Sequence, residues 1–77
     1  MSMITKQILK KLVDDKKIDE KYLNARFVEV EAQEFNGITY LFYIHIYSRD
    51  LEPITVIFDQ FNFNSFISDI HYNVRVS

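Results

Sequence analysis

The chain has 77 residues and a formal net charge of −2, and 48% of its residues are hydrophobic and 26% charged. This balance excludes a disordered, highly charged chain, and the length predicts one small domain spanning residues 1–77. Cysteine is absent, which excludes disulfides, thiolate metal ligands and a cysteine nucleophile.

The same features bear on location. A small secreted domain usually depends on disulfides, and the first residues show no signal-peptide pattern. No apolar run approaches the roughly 18 residues of a membrane span. We therefore expect a cytoplasmic protein with no membrane-spanning segment.

The first predicted element is a helix over Met3–Val13. Ile4, Ile8 and Leu12 recur at four-residue spacing, which places them on one helical face. The unpatterned residues 14–17 predict the end of this helix, and Asp19 is placed to cap one further turn.

The next two elements form a predicted β-hairpin. Gly37, the only glycine, follows Asn36, and an Asn-Gly pair between strand-like runs is the strongest local hairpin signal. The flanking runs predict strands over Leu23–Glu34 and Ile38–Tyr47.

Two loop geometries compete at the hairpin tip. A two-residue loop sets Val30 opposite Tyr43, whereas a three-residue loop beginning at Phe35 sets Val30 opposite Phe42. Side chains alternate between the faces of a strand, so a slip of one residue exchanges the faces. The hydrophobic pattern favours the three-residue loop, because that loop keeps the apolar residues of both strands together.

A third strand is predicted over Ile54–Asp59, after a proline-containing turn. Pairing with the second strand is expected to bring Val56 near Ile46 and Phe58 near Ile44, which extends one apolar face across a β-meander.

The period then changes to that of a helix, predicted over Asn64–Ile70 with Asn62 or Asn64 as its N-cap. Beyond it Tyr72, Val74 and Val76 alternate, which indicates a short last strand or a docked extended segment.

These elements predict an α+β fold of two layers, with the order α-β-β-β-α and a three-stranded antiparallel meander. Both helices are expected on one sheet face. The opposite face then carries the candidate interface residues Glu29, Glu31, Leu41, Tyr43, His45, Tyr47, Ile57 and Asp59.

That opposite face is unusually apolar for a solvated sheet. It is covered by a helix or the tail, buried in a homodimer, or used to bind another macromolecule. The third reading is favoured, since tyrosine is enriched at protein interfaces.

No catalytic or metal site is predicted. His45 could pair with Glu29 or Glu31 for acid–base work, but no nucleophile or phosphate-binding loop accompanies it. A metal site from His45, Asp69 and His71 is not supported by their spacing. We therefore expect a non-enzymatic protein without cofactor or metal.

Nucleic-acid binding is one alternative. Lys6, Lys10 and Lys11 could meet phosphates, and the element order is similar to that of the double-stranded-RNA-binding domain. That family reads phosphates with lysines at the start of its last helix, and the matching stretch, residues 61–65, contains none.

The layout also resembles small phage-encoded inhibitors, including certain anti-CRISPR proteins. The resemblance lies in the lysine-bearing helix, the Asn36-Gly37 hairpin, the third strand and the Phe66–Ile70 helix. It implies a single domain that occupies a surface on a host or defence protein, and it transfers no residue roles. The leading hypothesis, based on the apolar opposite face, is a non-enzymatic protein-binding module. The resemblance implies that it acts as a phage or mobile-element inhibitor, and its partner could itself bind nucleic acid. A structural homodimer is the remaining alternative.

Overall fold

The computed structural model describes residues 3–76 of the chain and the side chains of residues 4–72. The predicted α-β-β-β-α order and the antiparallel meander, with strand order β1-β2-β3, are confirmed. A short 3-10 helix, Glu20–Asn24, precedes the sheet. The helices and strands are α1 (Met3–Asp14), β1 (Phe27–Phe35), β2 (Ile38–Tyr47), β3 (Ile54–Asp59) and α2 (Gln60–Val76).

The hairpin turn contains two residues, so the predicted three-residue loop is wrong. Asn36 and Gly37 both have positive φ, 53° and 78°, and Phe35 pairs with Ile38 across them. Positive φ at both central positions is the type I′ turn, whose twist matches that of the flanking strands.

A bulge in β2 reverses the exchange of sheet faces that this two-residue turn would otherwise cause. Glu34 lies opposite Thr39, but the next pair is Gln33 with Leu41, so Tyr40 is an extra residue in β2. One extra residue shifts the remaining register by one and exchanges the faces of the strand. The predicted faces are therefore correct, although neither loop geometry gave the observed pairing.

The pairing along the rest of the sheet follows the shifted register. Val30 lies opposite Ile44, and Ile44 lies opposite Val56. The prediction that Val56 pairs with Ile46 is wrong by two residues, and Phe58 likewise pairs with Phe42. A shift of two residues in the register leaves every side chain on its predicted face.

Both helices pack on the same face of the sheet, which we call the inner face. The Phe63 ring of α2 stacks on Phe42 of β2 with centroids 4.0 Å apart, and Phe66 lies 5.0 Å from Phe58 of β3. The core formed there buries residues from both helices, β2, β3 and the intervening segment: Ile8, Leu9, Leu12, Ile18, Tyr22, Ala25, Ile44, Ile46, Phe58, Phe66 and Ile70. Coverage of β1 is incomplete, since Val30 on the inner face is 46% exposed.

The end of α1 is a Schellman motif. Lys16 has φ 60°, its N–H donates to the carbonyl of Val13, and the N–H of Lys17 donates to Leu12. The turn reverses the chain and is followed by Ile18, which enters the core.

The 3-10 helix begins at the predicted cap. The Asp19 carboxylate accepts a hydrogen bond from the backbone N–H of Lys21 at 2.9 Å. Tyr22 is buried, and its hydroxyl donates to the carbonyl of Glu52, 2.8 Å away in the β2–β3 loop. Because this helix occupies residues 20–24, β1 starts four residues later than predicted.

The second helix is longer than predicted at both ends. Asp59 is its N-cap, and its two carboxylate oxygens accept from the N–H and side-chain amide of Asn62. The expected caps Asn62 and Asn64 are thus wrong, because an aspartate at the end of β3 starts the helix first. The helix continues to Val76, so the expected C-terminal strand or extended segment is wrong. No glycine or proline interrupts residues 60–76.

We expect Gly37→Ala to lower the free energy of unfolding by about 1 kcal/mol, the strain of a left-handed backbone at a residue with a Cβ. A Cβ at Gly37 would meet nothing within 4 Å, so no clash adds to this strain. Urea denaturation measures the change.

The matched variant is Lys16→Gly, which removes the same strain at the end of α1 and should raise stability by up to about 1 kcal/mol. Equal stabilities for the wild type and both variants would contradict the assigned backbone conformations.

Candidate interaction surface

The face of the sheet opposite the helices is called the outer face here. All eight predicted interface residues share it. Paired positions place Glu29 beside His45 and Glu31 beside Tyr43. On the side of the bulge away from the turn, the residues that share this face are Phe27, Glu29, Glu31, Gln33, Leu41, Tyr43, His45, Tyr47, Thr55, Ile57 and Asp59.

His45 lies at the centre of this face and connects all three strands. Its Nε2 lies 2.9 Å from Oε1 of Glu31 on β1, and its Nδ1 lies 2.8 Å from the hydroxyl of Thr55 on β3. A carboxylate accepts hydrogen bonds only, so Nε2 is the donor to Glu31. In the neutral ring Nδ1 then accepts from Thr55. The sequence left Glu29 and Glu31 open as partners, and the structure selects Glu31.

Aromatic neighbours fix the side chains on either side of His45. The Tyr43 ring stacks on the imidazole with centroids 6.0 Å apart, and its hydroxyl hydrogen-bonds to Oε1 of Gln33. The Tyr47 ring lies 5.6 Å from that of Phe27. Strand periodicity places Gln33 and Thr55 on this face, but their hydrogen bonds to Tyr43 and His45 were not identified from the sequence, because those contacts follow from the cross-strand register.

The outer face is open to solvent and carries charge of one sign. Ile57 is 60% exposed and Tyr47 is also exposed, while Leu41, Tyr43 and His45 are half-buried. Its ionised side chains are three carboxylates, and no lysine or arginine occupies any of its positions. The carboxylate of Asp59 is held by Asn62, which leaves Glu29 and Glu31 as the acidic border on β1.

A second surface feature lies between the two helices and β3. It is a groove of about 380 Å³, called the helix groove here. Lys11 spans it, with its Nζ 3.2 Å from Asp15 and 3.5 Å from Asp69, and about 6 Å from the centre of the Phe66 ring. Partial burial lowers the pKa of Lys11, but the two carboxylates outweigh this effect and hold the pKa above its ordinary value of 10.5.

The structure gives no support to the metal site and the acid–base chemistry that were considered from the sequence. Among the side chains of residues 4–72, no three His, Asp or Glu residues are grouped so that they could hold a metal ion. The His45–Glu31 pair lies on an open strand surface.

Comparison of the chain with protein-family models, curated proteins and solved structures gives no match. No helix among the described residues is long and apolar enough to cross a membrane.

In its neutral form, His45 is expected to carry its proton on Nε2, because Glu31 can only accept. Long-range proton–nitrogen NMR spectra report the tautomer. Glu31→Ala should weaken this preference. Glu29→Ala is the matched control, since Glu29 faces His45 across the strands without a hydrogen bond to it. A dominant Nδ1–H tautomer in the wild type would contradict the network.

Asp69→Asn should lower the free energy of unfolding by less than about 1 kcal/mol, the usual value of a partly exposed ion pair. Because the pKa of Lys11 is raised, Lys11 stays charged at pH 7 and pH 9, and its contribution to the pair is lost as pH rises above 10.5 through the folded pKa. Denaturation at pH 7 and pH 9, with and without salt, measures this. A loss that differs between those pH values, or that persists unchanged in high salt, would contradict the assignment.

Proposed function

We propose that this protein is a non-enzymatic protein-binding module and that the outer face is its contact surface. The observation that carries the proposal is the row of aromatic and apolar side chains on a sheet face over which no helix of residues 3–76 lies. Monomeric proteins rarely leave such surfaces open unless a partner covers them.

The surface is organised before binding. Hydrogen bonds to Glu31, Thr55 and Gln33 hold the His45 and Tyr43 side chains, and ring contacts hold Tyr47. Side chains that are already fixed lose less conformational entropy when a partner docks. Tyrosine adds apolar area with a hydrogen-bonding tip, the combination typical of interface hot spots.

Charge defines the chemistry of the partner. The outer face offers carboxylates and no cation, so its complement is a protein surface with an apolar centre bordered by lysine or arginine. A net charge of −2 is too small for mimicry of DNA by charge alone. The narrower proposal, a phage-type inhibitor that acts by surface occlusion, follows the resemblance in layout and the same surface.

Nucleic-acid binding is less favoured for a specific reason. Of the three lysines that could meet phosphates, Lys11 is engaged by Asp15 and Asp69. The aromatic residues that could stack on bases lie among the carboxylates of the outer face, which repel a phosphate backbone.

The test replaces Tyr43 and Tyr47 together by serine. Truncation of an interface tyrosine at a hot spot typically costs about 2 kcal/mol or more, so the dissociation constant should rise at least about a hundredfold. Proteins captured from a host lysate by the immobilised wild type are identified by mass spectrometry, and the affinity of the purified partner is then measured by calorimetry.

The matched control is Phe61→Ser with Tyr72→Ser. This variant also loses two exposed aromatics, 82% and 67% exposed, but from α2. It should keep wild-type affinity, and circular dichroism confirms that both variants fold. If the Tyr43/Tyr47 variant binds as tightly as the wild type, the outer face is not the contact surface.

Binding to nucleic acid in gel shifts at low salt, lost with Lys6→Ala and Lys10→Ala, would support nucleic-acid binding instead.

A further inference from the structure

The β3 strand has an unpaired edge. Its six residues pair with β2 on one side, and among the described residues no backbone hydrogen bond reaches its other side. The N–H and C=O groups on such an edge are a template for a further strand.

The two edges of the sheet differ in charge. The other edge strand, β1, also has an open edge, but it carries Glu29, Glu31 and Glu34. Two copies of β1 paired about Glu31 would bring like charges directly opposite each other, which is unfavourable. By contrast β3 has the sequence ITVIFD, with its single charge at the last position. Only β1 has the charged protection that edge strands usually carry.

We propose that two copies of this chain pair antiparallel through their β3 edges and form a continuous six-stranded sheet. With Val56 on the two-fold axis, Ile54 lies opposite Phe58 of the second copy, and Thr55 lies opposite Ile57. Inner-face residues meet inner-face residues in this register, so the helices of both copies stay on one side. Asp59 falls opposite Pro53 of the second copy, and no carboxylate faces another.

The helix groove adjoins this edge. Its apolar lining is Ile57 and Phe58 on the sheet side and Phe66 on the helix side, and its other lining residues are charged or polar. In the proposed register Ile54 of the second copy lies beside Phe58. By symmetry the same apolar contact forms twice. Pro53 lacks an N–H, so it ends the paired segment.

This inference does not rest on the proposed function, because it uses the strand edge and leaves both outer faces free.

Sedimentation equilibrium from micromolar to millimolar concentration should show a monomer–dimer equilibrium. Val56→Lys places two ammonium groups opposite each other at the axis and should raise the dissociation constant at least about tenfold.

Val30→Lys is the matched control, since it introduces the same charge on the inner face of the other edge strand. It should leave the dimer unchanged. Val56 is partly buried in the core, so circular dichroism checks that the Val56→Lys variant folds.

Hydrogen exchange of the wild type gives a second test that needs no variant. Backbone amides of β3 should gain protection with rising protein concentration, and those of β1 should not. A monomer at millimolar concentration, or exchange of β3 that is independent of concentration, overturns the proposal. So does a folded Val56→Lys variant with wild-type affinity, or a dimer lost only in the Tyr43/Tyr47 variant.

Discussion

One inserted residue in β2 decides which side of the sheet faces the helices. The Asn36-Gly37 turn alone would pair the strands so that Phe42 and Ile44 fall on the solvent side. The bulge at Tyr40 shifts the register by one, and both side chains return to the helix side. Ile44 then becomes fully buried, and Phe42 can stack on Phe63. The type I′ turn and the buried apolar face are compatible only because the bulge lies between them.

This relation explains which parts of the sheet the sequence could predict. Alternation of apolar and polar residues determines the faces, and burial enforces them, so all eight residues assigned to the outer face lie there. The exact pairing is set by the turn and by the bulge, and nothing in the residues Thr39-Tyr40-Leu41 distinguishes a bulge from a regular strand. The errors in register therefore left the faces unchanged. The residues of the candidate surface were assigned correctly although the predicted loop was wrong.

Other features were missed because they depend on contacts distant in sequence. Periodicity gave no signal for the core residues Ile18, Tyr22 and Ala25, since they lie in a turn and a single 3-10 helix. Tyr22 is held by the carbonyl of Glu52, thirty residues away. The early start of α2 had a local signal in Asp59, which is both the last residue of β3 and the helix cap. Asp59 was assigned to the outer face as a candidate interface residue, and its role as a capping residue was not recognised from the sequence.

The size of the chain links the core to the open surfaces. Two helices cover β2 and β3 on one side, where Leu9, Leu12 and Ile70 are fully buried, and in the described chain no further helix lies over the other side. A sheet with one covered face usually places polar residues on the other. Here that face carries Tyr43, which stacks on His45 and hydrogen-bonds to Gln33, and Tyr47, which contacts Phe27. Polar side chains at those positions would be hydrated at least as favourably as the tyrosines. The proposal of a binding surface rests on this organised aromatic row, because the row lies on the opposite side of the sheet from the core.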